Sequence, residues 1–218
     1  MKPIKITVAA LAIACSSVFA LAGHAQVRSC NAGAGAESWP IEPDKYVTRN
    51  CAFCHGPGVQ GRAVAPRLAG QHADYIVKQI EYFRDKSRNG VFALRYMSHV
   101  AVQIQPDYEC EVAAYIESLP PEPAADNGNK ALVPVGEALF QGGSPGDNIP
   151  ACIFCHGQEG QGVGRFPRLG GLSYNYLQRR LTQWGEGFHS NAEIMPGVAS
   201  KLSPDQIEAV ASYLSYVK

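Results

Sequence analysis

Cys51-Ala52-Phe53-Cys54-His55 recurs as Cys152-Ile153-Phe154-Cys155-His156. Cys-x-x-Cys-His is the pattern by which a haem is held covalently. The two thiols add to the vinyl groups of the porphyrin, and the His that follows lies against the iron as an axial ligand. Two rival readings use the same cysteines. Two Cys-x-x-Cys pairs can build a four-cysteine zinc site, and each pair alone can be a redox dithiol. Neither rival needs a His directly after both pairs. The 97 residues between the pairs also far exceed what a zinc ribbon inserts. The expected cofactors are two covalently bound haem c groups, one on Cys51, Cys54 and His55 and one on Cys152, Cys155 and His156.

The chain has 218 residues, 46% of them hydrophobic, enough for two small cores. The formal charge is zero, so no basic footprint points to nucleic acid. Residues 1–25 read as a secretory signal peptide. Lys2 and Lys5 form its charged start, and Ile6 to Ala22 is mostly small and apolar. Ala20-Leu21-Ala22 and Gly23-His24-Ala25 offer cleavage near Ala22 or Ala25. A permanent membrane anchor and lipoprotein processing at Cys15 are the alternatives. The apolar run is short for a span, is broken by Ser16 and Ser17, and continues past Cys15. Removing Lys2 and Lys5 leaves a mildly acidic mature chain, so partner docking depends on local patches.

In chain order, Gln26 to Pro40 is a small, polar, loosely structured lead-in with one cysteine, Cys30. Pro43 to His55 predicts a helix running into the first haem motif. Gly56 to Gly70 is a glycine-punctuated loop. A helix follows from about His72 to Arg88, with Ile76, Ile80 and Phe83 on one face and Asn89-Gly90 as its stop. Met97 is expected in the next loop. Pro106 then opens a helix carrying Val112, Ile116 and Leu119. Pro120 to Lys130 reads as a linker, extended at its proline end and turn-forming at Asp126-Asn127-Gly128-Asn129.

The second half repeats the first. Arg67-Leu68-Ala69-Gly70 returns as Arg168-Leu169-Gly170-Gly171, at the offset of 101 that also separates Cys51 from Cys152. Tyr75, Ile76, Ile80 and Phe83 correspond to Tyr176, Leu177, Leu181 and Trp184. Towards the end the offset becomes 98, pairing Met97, Pro106, Asp107 and Tyr115 with Met195, Pro204, Asp205 and Tyr213. The predicted fold is all-α, with two tandem domains: signal peptide 1–25, first domain 26–119, linker 120–131, second domain 132–218. Ser203-Pro204-Asp205-Gln206 predicts a capped helix start with a capping box.

His55 and His156 leave one axial position on each iron. Apart from Met1, the methionines are Met97 and Met195, at matching places in the repeat. Core filling is the ordinary role of a Met. Here both recur in expected loops, so Met97 and Met195 are the expected sixth ligands. His99 is a rival to Met97, but Gly197 stands at its repeat position. His72 and His189 also lack counterparts. Thioether ligation raises the potential relative to bis-His ligation, and two filled coordination spheres leave no position for a substrate. Each axial His needs its other ring nitrogen held, and the backbone of Pro66-Arg67-Leu68 and Pro167-Arg168-Leu169 offers carbonyls for it. Arg67 and Arg168 are candidates for haem propionates; simple solvation is the alternative.

At this point the chain resembles the dihaem cytochromes c4, from about Asp44 to Lys218. The likeness is carried by Pro66-Arg67-Leu68-Ala69-Gly70-Gln71, Gly136-Glu137-Ala138-Leu139-Phe140, Phe166-Pro167-Arg168-Leu169-Gly170-Gly171 and Val198-Ala199-Ser200-Lys201-Leu202-Ser203. The resemblance implies two class I cytochrome c domains packed with their haems near each other, His/Met ligation and a periplasmic location. It also implies the Pro carbonyls of Pro66 and Pro167 as partners of the axial His residues. The implied role is single-electron transfer between a respiratory donor, such as the cytochrome bc1 complex, and a terminal oxidase. A cytochrome subunit of a periplasmic dehydrogenase is the variant, and peripheral membrane association stays open. The alternative from another class is a dihaem enzyme of peroxidase or thiosulfate-oxidising type, which needs one iron with a replaceable ligand.

Cys30, Cys110 and the residues around Met97 depart from the family pattern. With four cysteines on haem and Cys15 in the signal peptide, Cys30 and Cys110 remain. In the cytochrome c fold the first and last helices cross, so the lead-in reaches the start of the last helix. An oxidising compartment then favours a Cys30–Cys110 disulfide, with two unpaired thiols as the alternative.

Overall fold

The computed structural model describes residue 30 and residues 40–62, 64–124, 126–189 and 192–218. The expected signal peptide, its cleavage sites and most of the lead-in lie outside the described residues. Helices and loops make up the described part, with isolated bridges at Arg62–Ala65, Ser144–Ile149 and Val163–Phe166. Among the described residues no helix is long and apolar enough to cross a membrane.

In the first half α1 (Pro43–Tyr46), a π-helical turn (Val47–Cys51) and α2 (Ala52–His55) run on without a break. Pro43 sits in the first turn, where a missing N–H costs nothing. Then come α3 (Ala73–Arg84), a π-helical turn (Ala93–Met97), α4 (Ser98–Ala101) and α5 (Glu109–Ser118). The second half has α6 (Val133–Gly142), α7 (Ile153–His156), α8 (Tyr174–Gly185), α9 (Met195–Ala199) and α10 (Pro204–Tyr216). The capping box at Ser203 and Gln206 is formed.

Three local expectations need correction. The helix expected to reach Arg88 stops at Arg84. Lys86 turns left-handed (φ +62) and the Asp85 carboxylate accepts the Ser87 N–H, so the helix is closed off before Asn89-Gly90. Met97 lies at the end of a π-helical turn, not in a loop. No Gly or Pro occurs between Val91 and Gln105, and Ser98 Oγ bonds back to the Ala93 carbonyl. Met195 likewise opens the short α9, where Pro196 fits the first turn.

Each half closes its own core. Val47, Ile76, Val77, Ile80, Phe83, Val112 and Ile116 belong to the first, and Leu139, Phe140, Leu177, Leu181, Val210 and Leu214 to the second. Full burial of a side chain such as Phe140 contributes about 1.5–3 kcal/mol. The first and last helices of each half cross. In the second, a Cβ on Gly136 would lie 2.0 Å from the Ala209 carbonyl oxygen, so α6 and α10 touch backbone to backbone. In the first, the Tyr46 and Tyr108 rings meet edge-on at 5.4 Å and Tyr108 donates to the Ile41 carbonyl at 2.5 Å. Buried Glu109 at the start of α5 pairs with Arg84 at the end of α3. The Cys30–Cys110 disulfide is formed, and the Cys30 N–H donates to Asp74 at 2.8 Å, tying this part of the lead-in to α3 and α5.

The halves share a polar seam. Gln71 accepts the Arg168 N–H at 2.9 Å and donates to the Arg168 carbonyl at 3.0 Å. Arg67 reaches the Gly170 and Gly171 carbonyls. Exchanging the halves through the offset of 101 turns the 67–171 contact into 70–168, beside the observed 71–168. The two halves therefore face each other through the same surface, as subunits of an isologous dimer do.

Candidate haem sites

His55 and His156 close α2 and α7, and each ring is buried. The chain turns at once through Gly56 (φ +79) and Gly157 (φ +76), a conformation that favours glycine. It returns so that Gly61 N–H bonds the His55 carbonyl at 2.7 Å and Gly162 N–H the His156 carbonyl at 2.8 Å. That loop brings Pro66 to His55 and Pro167 to His156. His55 Nδ1–H donates to the Pro66 carbonyl at 2.7 Å, and His156 Nδ1–H to the Pro167 carbonyl at 3.0 Å. A carbonyl only accepts, so the proton sits on Nδ1 and the Nε2 lone pair is left for a metal. Burial lowers both imidazole pKa values, against the opposing pull of the carbonyl, which keeps both rings neutral.

Cys51 and Cys152 flank these rings. Burial and the neighbouring Cys54 push the Cys51 thiol up to about 11. Cys152 rises to about 11, chiefly from burial. Among the described residues no group of three or more His, Cys, Asp or Glu converges on a common point, so the two cysteine pairs do not form one cage. Met97 packs against the core of the first half and Met195 against that of the second. His99 is exposed.

The residues present suit a carboxylate-bearing porphyrin. Arg67 Nε, Arg168 Nε and Trp184 Nε1 are buried donors without a hydrogen-bond partner among the described residues. Buried donors are rarely left unpaired, and haem propionates supply acceptors. Arg88, Arg179 and Arg180 gather with Tyr75 and Tyr176 at the seam. Burial opposes ionisation of Tyr176, but these three guanidinium groups outweigh it and hold the phenol below its ordinary value. Tyr75 moves the other way, raised by burial and by Tyr176. Arg67 is buried, so solvation is not its role. The Tyr75/Tyr176 match was visible in the repeat. Arg88, Arg180, Gln71 and the Trp184 N–H carried no sequence signal of their own.

The Cytochrome c family model matches residues 44–120 and 136–218. The chain is 38% identical over 173 residues to the thiosulfate dehydrogenase electron acceptor of Stutzerimonas stutzeri (strain A1501), covering 77% of this chain and 78% of that protein. Its structure is similar to cytochrome c4 of Acidithiobacillus ferrooxidans, with TM-score 0.71 and 34% identity, covering 77% of this chain and 98% of that one. It is also similar to the thiosulfate dehydrogenase TsdBA of Marichromatium purpuratum, with TM-score 0.69 and 31% identity, covering 81% of this chain and 40% of that one. The chain belongs to the cytochrome c family, as a dihaem electron-transfer protein of the c4 type that carries two covalently bound haem c groups and exchanges electrons with redox partners.

Proposed function

We propose that this protein is the electron acceptor of a periplasmic dehydrogenase, passing single electrons on towards a terminal oxidase. In this reading Cys51 and Cys54 link one haem and Cys152 and Cys155 the other. His55 and Met97 would hold the first iron, and His156 and Met195 the second. The working units are 26–119 and 132–218, joined by 120–131. Haem iron supplies the reversible one-electron change. The polypeptide holds each axial imidazole by a Pro carbonyl, offers buried Arg and Trp donors to the propionates, and keeps the two sites in one body through the seam.

The observation that supports the dehydrogenase reading is the 38% identity to a thiosulfate dehydrogenase electron acceptor, over most of both chains. The similarity to cytochrome c4 favours the second reading, a free shuttle between the cytochrome bc1 complex and an oxidase. Stopped-flow mixing separates them. The oxidised dihaem protein is expected to be reduced at both haems by thiosulfate dehydrogenase plus thiosulfate. If it stays oxidised there, yet is reduced by a bc1 complex with quinol, the shuttle reading replaces this one.

A further inference from the structure

Past the end of α3 the first half reaches into the second through three consecutive residues. Arg88 Nη2 donates to the Tyr176 hydroxyl at 3.2 Å. The Asn89 main-chain N–H donates to His189 Nδ1 at 3.0 Å, and the His189 main-chain N–H donates back to Asn89 Oδ1 at 3.0 Å. Gly90 lies flat against the same ring, where a Cβ would sit 3.1 Å from Nε2. His189 is 3% exposed. Its backbone is left-handed (φ +58), a conformation that Asn and Gly accept more readily than most residues. The latch lies just past the ends of the matching helices α3 and α8, where one half meets the other.

We propose that His189 is a positioning residue for electron exchange between the two haem sites, forming with Asn89 a latch that fixes the orientation of one half against the other. The inference rests on the haem assignment above. His189 is neither a haem-attachment residue nor an expected ligand. The exchange itself balances simply: one electron leaves one iron, the other iron takes it up, and no proton moves. What the latch controls is geometry. Its two reciprocal bonds fix both main chains, and Arg88 beside it bonds Tyr176 in the cluster of arginines that suits the propionates.

The test uses the mature dihaem protein. His189→Gly tolerates the left-handed backbone but removes the acceptor. His189→Asn tolerates it and keeps an acceptor close to the Nδ1 position. Asn89→Ala removes the reciprocal acceptor. Two quantities are read: inter-haem electron equilibration after flash photoreduction, and hydrogen exchange of the amides at 89 and 189. His189→Gly and Asn89→Ala should slow equilibration severalfold, since electron tunnelling weakens with every ångström added between donor and acceptor, and should speed exchange of the latch amides. His189→Asn should restore the wild-type rate. Faster amide exchange with an unchanged electron rate would make the latch merely structural and overturn the proposal. So would a His189→Asn protein as slow as His189→Gly. Absence of the weak near-infrared-edge Met–iron band in the wild type would refute the ligand assignment instead, leaving the rate comparison to decide the latch.

Discussion

Arg67 of the first half donates from Nη1 to the carbonyl of Gly171 in the second, at 2.8 Å. The same guanidinium reaches the Gly170 carbonyl at 2.6 Å and the Glu122 carbonyl in the linker at 2.5 Å. Burial and the nearby Arg168 bring its pKa down to about 10, still charged at working pH. One side chain thus joins both halves and the chain between them, while its Nε remains for a propionate.

Arg67→Ala leaves three backbone carbonyls without their charged donor. The expected loss is about 2–3 kcal/mol of stability, the scale of hydrogen bonds to charged groups. Arg67→Lys should recover less than half of it, because a single ammonium nitrogen replaces the planar fork whose Nη1 and Nη2 reach separate carbonyls. Denaturant midpoints of the dihaem protein measure both, and a Lys variant as stable as the wild type would contradict the bridging role.

His189 predicts a pH dependence. Burial, then Arg180 and Arg88, hold its pKa at about 3, against about 6.5 in an unfolded chain. Between these values the unfolded chain binds more protons, so the contribution of this group is full above about pH 6.5 and is lost as pH falls towards 3. Its slope approaches about 1.4 kcal/mol per pH unit within that window. Carboxylates titrate there too, so the measurement is the difference between wild type and His189→Asn. The asparagine variant should lose less stability on acidification, and parallel curves would contradict this assignment.

How legible all this was differs from element to element. The haem motifs, the repeat and the Ser203/Gln206 capping box rest on fixed spacings and residue chemistry, which a sequence displays directly, whereas the Cys30–Cys110 pairing, 80 residues apart, follows from the cysteines left over and from the helix crossing of the resembled fold. The end of α3 was misplaced because Lys86 adopts a left-handed backbone that nothing in a lysine announces. The helical setting of Met97, expected in a loop, is readable from the lack of Gly and Pro between Val91 and Gln105. The seam was not legible. Periodicity tells which face of a helix is buried within its own half, not which surfaces of two folded halves meet. Gln71, Arg88 and His189 therefore read as ordinary polar residues until the halves are placed together.

The Cys30–Cys110 bond, which spans 80 residues, should contribute about 2–4 kcal/mol, reduced by the haem links that already restrict the unfolded chain. Cys110→Ser should lower the thermal midpoint and leave the haem spectra unchanged. Mass spectrometry of the unreduced mature protein should find neither cysteine alkylated, and alkylation of both without reductant would contradict the bond.

The central claim, two His/Met-ligated haems that each pass one electron, is tested most directly by a potentiometric titration of the mature protein beside Met195→His. The wild type should titrate in two one-electron steps. In Met195→His one step should move to lower potential while the other stays, because imidazole stabilises ferric iron relative to a thioether. Two steps that both stay in place would show that Met195 does not bind iron and would contradict the account.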